Sequence, residues 1–352
     1  MKINAVAVIG TGFIGTVHVE SIRRTGVQVK GVLSGSTEST KRGAENLSVK
    51  TQYNSVAEIS ADKDVTVVHV TSPNALHYRQ VEELMAAGKH VICEKPLATS
   101  LVDVDEIRQA ALNADRKVYP VFQYRWGPSL AQLRHLMTCG LTGQLQVAAL
   151  ETHWSRGADY YAVPWRGTWA GECGGAVLGH AIHNHDLLTH IAGDIACLSA
   201  LTITRVNEIE TEDCASISFA MTSGALATSS ITLGAATDET RLRFVFEHLT
   251  ATSGTAPYAP GAKPWTFTAR APHTQEKLDA ALSKTPREPI GFEGFFAQIA
   301  LDLAGRENQA VTLEDGATSV ALVTAIYHSA RSGRRVELPF DPSHELYKGW
   351  LP

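Results

Sequence analysis

Three stretches of this 352-residue sequence carry side chains whose types and spacing could do chemistry. The first reads Gly10-Thr11-Gly12-Phe13-Ile14-Gly15 and directly follows the apolar run Ala5–Ile9. In a G-x-G-x-x-G turn the first glycine permits a tight bend and the second lets backbone approach a pyrophosphate. The third lets helix and strand pack closely. The helix that follows offers free N–H groups and the positive end of its dipole to phosphate oxygens. Gly10, Thr11, Gly12, Phe13 and Ile14 are therefore expected to cradle a dinucleotide, here NAD or NADP. About 20 residues further on, an NAD site usually places a carboxylate on the ribose hydroxyls. This sequence has Ser34 there, followed by Ser36, with Lys41 and Arg42 beyond. Hydroxyls and cations suit a 2′-phosphate, which a carboxylate would repel. The reading therefore leans to NADP.

The second stretch, residues 173–186, reads Cys-Gly-Gly-Ala-Val-Leu-Gly-His-Ala-Ile-His-Asn-His-Asp. Imidazole titrates near neutrality, so His180 and His183 are candidates for proton transfer. On a helix His180, His183 and Asn184 share a face, at i, i+3 and i+4, and His185 points away. Zinc ligation by His180, His183, His185 and Asp186, with help from Glu151, finds no HExxH or Cys/His spacing to support it. No metal is expected. The third stretch crowds Trp154, Arg156, Tyr160, Tyr161, Trp165, Arg166 and Trp169 before the histidines. Flat rings can cover the apolar faces of a sugar while guanidinium groups donate in a plane. Packed loops and subunit contacts use the same residue types.

Stepping outward, the elements that must position these residues change character along the chain. Through Phe122, strand-like runs (Ala5–Ile9, 27–33, Val65–Val70, His90–Cys93, 117–122) alternate with helical patterns. Such alternation predicts a parallel sheet with helices on both faces, an α/β class. After Tyr124 a helix over Pro128–Thr138 and a long strand over 144–155 precede a loop over 156–174 and a helix over 176–192. Strand-like stretches then follow one another, so a second, mostly antiparallel sheet is expected. Residues 251–290 read as long loops with one short helix, and helices near 292–304 and 317–331 follow. The expected domains are 1–124, binding the dinucleotide, and 125–352, binding substrate.

Composition sets the outer bounds. Hydrophobic residues make up 44% and charged residues 19% of the chain, enough apolar content for a sizeable core. A net charge of −5 lacks the basic footprint of a nucleic-acid binder. No apolar run is long enough for a membrane span, and no secretion signal is legible at the start. Five scattered cysteines form no CxxC pair, which suits reduced thiols in a cytoplasm.

The run Lys89-His-Val-Ile-Cys-Glu-Lys-Pro96, with the glycine turn and Thr71-Ser72-Pro73-Asn74-Ala75-Leu76-His77, closely resembles the Gfo/Idh/MocA oxidoreductases. The resemblance is strong to about residue 125 and looser over most of the remainder. It implies a Rossmann domain followed by an α/β domain with a large open sheet that mediates homodimers or homotetramers. It further implies hydride exchange between a nicotinamide and a carbinol of a sugar, polyol or related small molecule. By the same resemblance Lys95 is the catalytic lysine and His183 the catalytic histidine. Thr71, Ser72, Pro73, Asn74, His77 and Glu94 would line the cofactor, and Pro96 is the motif proline. Tyr124 and Arg125 match a position facing the cleft, Arg125 touching cofactor as well as substrate. Substrate would meet Lys95, Tyr124, Arg125, Trp154, Arg156, Trp165, Arg166, His180 and His183. One departure stands out: Gly179 occupies the place of an aspartate that usually precedes the histidine, and His180 could take over its contact. Asp186 matches the later aspartate. The family also includes glycosidases that recycle the nicotinamide and regulators that only sense it.

Overall fold

The computed structural model describes residues 3–352, which form two compact units. The first runs to Phe122 and takes back Phe295–Val320 and Tyr347–Gly349. The second holds Gln123–Gly294, Ala321–Leu346 and Trp350–Pro352.

In the first unit, chain order is β1 (Ala5–Ile9), α1 (Phe13–Arg24), β2 (Gln28–Leu33), α2 (Thr37–Asn46), β3 (Thr51–Gln52), α3 (Val56–Ala61), β4 (Val65–Val70), α4 (His77–Ala86), β5 (His90–Cys93), α5 (Leu101–Ala114) and β6 (Val118–Pro120). The strands form one parallel sheet in the order β3-β2-β1-β4-β5-β6. β1 and β5 are buried along their whole length, as strands covered on both faces must be. Strand order reverses between β1 and β4, and ligands of open α/β sheets bind outside the carboxyl ends at such a point. Serine side chains at Ser36, Ser55 and Ser100 cap α2, α3 and α5 by accepting a backbone N–H.

In the second unit come α6 (Pro128–Thr138), β7 (Leu145–Ser155), α7 (Ala158–Tyr161), α8 (Trp169–Glu172), a π turn (Val177–Ala181) that leads into α9 (Ile182–Ala192), and then β8 (Ile195–Ile203), β9 (Cys214–Met221), β10 (Leu226–Thr232), β11 (Gly234–Phe246), β12 (Leu249–Thr252), β13 (Thr266–Ala269) and α10 (Gln275–Leu282). α11 (Phe292–Leu303) follows, then α12 (Leu313–Ser332) and β14 (Val336–Glu337). Eight strands make the sheet β13-β12-β11-β7-β10-β9-β8-β14. Every pair is antiparallel except β10 with β7. Along β7 buried residues alternate with half-exposed ones from Ala148 to Trp154, so one face of the sheet is core. Asn184 and His185 on α9 dock on that face. Asn184 Nδ2 donates to Thr152 Oγ1 at 2.7 Å, and His185 Nε2 lies 3.0 Å from Ser229 Oγ.

Residues 251–290 hold more order than the expected loops with one helix: β13 and the end of β12 lie there beside α10. β11 begins eight residues before the apolar stretch at Leu242. Its first half, Gly234–Arg241, is polar, because it runs along the exposed end of β7.

Candidate functional site

The dinucleotide half of the site begins where β1 ends. Gly10 has φ +98° and its N–H donates to Leu33 O at 2.8 Å, which turns the chain sharply. A Cβ at Gly10 would stand 2.4 Å from Thr71 O, and one at Gly15 would stand 2.0 Å from Gly10 O. Only glycine fits either place. Gly12 differs: a Cβ there would meet nothing within 4 Å. Gly12 is also the N-cap of α1, with no side-chain cap and no acidic residue in the first turn. A helix N-terminus left open in this way, with room beside its glycine, fits a pyrophosphate. Thr11 packs on Gly43 of α2, and Phe13 is 83% exposed at the rim. Beyond β2, Ser34 N–H donates to Thr40 Oγ1, while Ser36 and Ser39 form a reciprocal cap on α2. Lys41 and Arg42 are exposed.

Thr71, at the end of β4, donates its hydroxyl to Ile9 O and Gly10 O and so ties the glycine turn to the sheet. Ser72 donates to Gln80. Pro73 and half-buried Asn74 start a short 3₁₀ turn. His77 is buried with Nδ1 2.7 Å from Pro96 O and Nε2 2.9 Å from Ser72 O, so it spans the two loops at the carboxyl ends of β4 and β5. Burial lowers its pKa against the pull of those carbonyls. The Lys95–Pro96 peptide is cis, and Lys95 is half-buried.

Sequence reasoning missed a polar chain behind Lys95. Glu94 Oε2 accepts the Lys95 N–H at 3.3 Å, and its Oε1 lies 3.1 Å from His18 Nε2. His18 Nδ1 lies 3.0 Å from His69 Nδ1, and Phe296 rings both imidazoles edge-on. Burial, with His18 beside it, drives the His69 pKa well down. A neutral His69 can still donate or accept at its one contact with His18. The available signal was a histidine inside the otherwise β-branched run Val65–Val70.

The second unit positions the other candidates. His183 is buried, and its ring stacks on Tyr124 at 4.5 Å. Tyr124 donates its hydroxyl to Pro257 O at 3.0 Å, and burial raises its pKa. Arg125, one residue on, makes a two-pronged pair with Asp186: Nε to Oδ2 at 2.8 Å and Nη2 to Oδ1 at 2.5 Å. These side chains are 5% and 2% exposed. His180 lies in the π turn, 5.0 Å from the Trp154 ring and 5.9 Å from that of Tyr160. A π turn widens the helix locally, and such turns recur at functional sites. Gly179 leaves open space where the family aspartate would stand. Trp154 is buried and donates to Thr240. Arg156 is gripped by Asp238, with Tyr258 at Nη2, and lies over Trp154 and Tyr160. Asp238 and Tyr258 were not legible, being 82 and 102 residues from Arg156. Trp165 is exposed, and Trp169 packs on Tyr327. Glu151 faces Arg241 at 3.8 Å. Among the described residues no group of three His, Cys, Asp or Glu side chains could hold a metal ion.

An open glycine cradle at the switch point of a parallel sheet, followed by a unit with a buried histidine face, defines a two-unit dinucleotide-binding protein. Comparison with known proteins makes this specific. Residues 4–122 match the oxidoreductase family with an NAD-binding Rossmann fold, and residues 130–252 match the GFO/IDH/MocA C-terminal domain. The chain belongs to the Gfo/Idh/MocA family. Myo-inositol 2-dehydrogenase of Thermotoga maritima is 29% identical over 192 residues, 54% of this chain and 55% of that one. The 1,5-anhydro-D-fructose reductase of Ensifer adhaerens is 31% identical over 180 residues, 50% of this chain and 52% of that one. These matches span about half the length of those relatives. The WlbA dehydrogenase from Chromobacterium violaceum, solved with NADH and UDP-GlcNAcA, superposes with a TM-score of 0.83. It is 28% identical, over 97% of each chain.

Proposed function

We propose that the protein is an NAD(P)-dependent dehydrogenase or reductase acting on a carbinol or ketone of a sugar, glycoside, polyol or cyclitol. One observation carries the reading. An uncapped helix N-terminus, open beside Gly12, shares the first unit with a half-buried ammonium, Lys95, two residues past the end of β5. A nicotinamide held by the Gly10–Ile14 turn would supply the hydride acceptor or donor. Lys95 donates a hydrogen bond to the reacting oxygen and stabilises its developing negative charge. His183 removes the hydroxyl proton during oxidation and returns it during reduction. Tyr124, stacked on the imidazole, fixes its plane, and the Arg125–Asp186 pair fixes the turn carrying Tyr124.

NADP is the proposed preference, because Ser34 stands where an NAD site carries its ribose carboxylate. The relatives named for inositol and anhydrofructose support a small polyhydroxylated substrate. A second copy of the chain is the proposed partner. Leu201 (71% exposed), Leu226 (57%) and Ile203 (55%) lie on the face of the sheet that α9 does not cover. No described helix is long and apolar enough to cross a membrane. The cytoplasm is the proposed location.

The test is the rise or fall of reduced-nicotinamide absorbance with a panel of sugars, polyols and glycosides, each with NAD and with NADP. Turnover lost by about 100-fold or more in Lys95→Ala and in His183→Ala, with nucleotide still bound by His183→Ala, supports the reading. Substrates turned over equally well by both variants would overturn it.

A further inference from the structure

Next to the histidine face, the second unit holds a cavity of about 400 Å³ that the proposed chemistry does not use. Its walls include Tyr161, Arg166, Thr168, Glu208, Ile209 and Glu210. The volume lies within the range of about 300–1,000 Å³ common for small-molecule sites.

The walls are built, not loose. Gly167 has φ +70°, and a Cβ there would stand 2.6 Å from Ile209 Cγ2. Its carbonyl accepts the N–H groups of Glu210 and Thr211, and its own N–H donates to Glu172 Oε2. Glu210 Oε2 accepts the Trp169 N–H. Two loops far apart in sequence are thus pinned across one glycine.

Arg166 is the unusual wall. Its guanidinium lies 3.8 Å from the Tyr160 ring centroid, yet Nε and Nη1 are buried and make no hydrogen bond. Buried donors normally find acceptors, and leaving a charged one unmet is costly. Those two donors lie against the tyrosine ring, out of reach of the cavity, and leave Nη2 as the edge of the guanidinium that a ligand can meet. The same Tyr160 ring lies 5.9 Å from His180, so one ring and one guanidinium separate the cavity from the histidine helix.

The charge of the lining decides which ligand. Arg166 supplies one positive charge, whereas Glu208 and Glu210 supply two negative ones and are exposed. A phosphate or carboxylate would meet that net negative rim. A neutral polyhydroxylated ring suits it: its oxygens accept from the guanidinium, its hydroxyls donate to the carboxylates, and an apolar face covers tyrosine. We propose that this cavity is a subsite for a second sugar ring, so that the substrate is a disaccharide or related glycoside rather than a free monosaccharide. The inference rests on the reading above, that the reacting carbinol belongs to a sugar.

The experiment compares turnover of maltose, cellobiose, glucose and glucose 6-phosphate by the whole protein with either dinucleotide. In parallel, quenching of tryptophan fluorescence, to which Trp165 and Trp169 beside the cavity contribute, reads binding of the same four sugars without turnover. The expected result is that a disaccharide surpasses glucose in kcat/KM. Arg166→Met should then lower the disaccharide value about tenfold more than the glucose value. Glu208→Gln, on the exposed rim, should move the same ratio about threefold and serves if Arg166→Met does not fold. A disaccharide that quenches the wild type but not Arg166→Met, with no sugar turned over, supports the subsite while removing the proposed reaction. An unmoved ratio, a preference for glucose 6-phosphate that vanishes in Arg166→Met, or an Arg166→Met protein that loses self-association in place of selectivity overturns the subsite. So does the absence of both turnover and quenching.

Discussion

Replacing Asp186 by alanine removes the carboxylate from a deeply buried ion pair of the second unit. The two side chains are 5% and 2% exposed, and they meet through two hydrogen bonds of 2.8 and 2.5 Å. Water cannot take the place of the lost partner at that depth. Breaking a buried pair from one side typically costs about 3–5 kcal/mol. For a folding unit of this size each kcal/mol lowers the melting temperature by about 2–4 °C, so a fall of about 6–20 °C is expected. Urea denaturation followed by tryptophan fluorescence gives the free energy directly. The pair is shielded from ions, so raising the salt to 1 M should leave the loss nearly unchanged. Exchanging both partners for apolar residues, Arg125→Met with Asp186→Leu, should recover part of it, since neither member of the pair is then left facing the other's empty place. The reasoning fails if Asp186→Ala costs less than about 1 kcal/mol, the range of a surface pair. It also fails if the double variant is as unstable as the single one.

Three further outcomes are expected. Gly12→Ala should fold within about 0.5 kcal/mol of wild type yet bind NADH or NADPH about tenfold more weakly, because its methyl enters the open cradle; Gly15→Ala, aimed at Gly10 O, should cost about 1–3 kcal/mol of stability. Melting curves and nucleotide titrations separate the two effects. Burial lowers the His185 pKa to about 4 from an ordinary 6.5, so the unfolded chain gains a proton at pH values where the folded one refuses it. Stability from this group is whole above pH 6.5 and lost as pH falls toward 4, about 2 kcal/mol of it by pH 5. His185→Leu should therefore lose less stability than wild type between pH 7.5 and 5 in paired urea titrations. Finally, His180→Ala should lower kcat/KM about tenfold, and adding Gly179→Asp, for which there is room, should restore part of it. Steady-state assays showing turnover unchanged by His180→Ala would remove His180 from substrate binding.

How far the sequence was legible follows the range of the forces involved. Val65–Val70, His90–Cys93 and Pro128–Thr138 are bounded in the fold where the apolar runs and their flanking turns bound them, because local patterning decides them. The glycine turn was legible because its three glycines are spaced as a local motif, Gly10 and Gly15 where a Cβ would clash and Gly12 where the cradle stays open. β12 and β13 escaped notice because, at four residues each, their alternation is too short to stand out from a loop. The polar start of β11 was missed because it is mostly exposed and only Gly234 and Glu239–Arg241 of it pair with β7. The π turn under His180 leaves no trace in residue spacing. Arg125 was legible as a cationic candidate, but its partner Asp186 lies 61 residues away. The chain Glu94–His18–His69 closes over separations of 76 and 51 residues and exists only once the parallel sheet has brought α1, β4 and β5 together.

The return of Phe295–Val320 to the first unit bears on how the protein emerges from a ribosome. Phe296, which encloses His18 and His69, and Asp302, which holds Lys117 and Tyr119, belong to that returning segment. When Phe122 has left the exit tunnel the dinucleotide unit still lacks them. At about 5–20 residues per second, roughly 10–40 s pass before Val320 follows. The second unit is incomplete over the same interval, because Ala321–Leu346 follow Val320 in the chain. The nucleotide-binding unit, first in the sequence, therefore stays unfinished long after its sheet has been made, and its β6 edge, beside Lys117 and Tyr119, waits without Asp302 for tens of seconds. A truncation anywhere before Asp302 should leave that edge open to a chaperone or to a neighbouring chain.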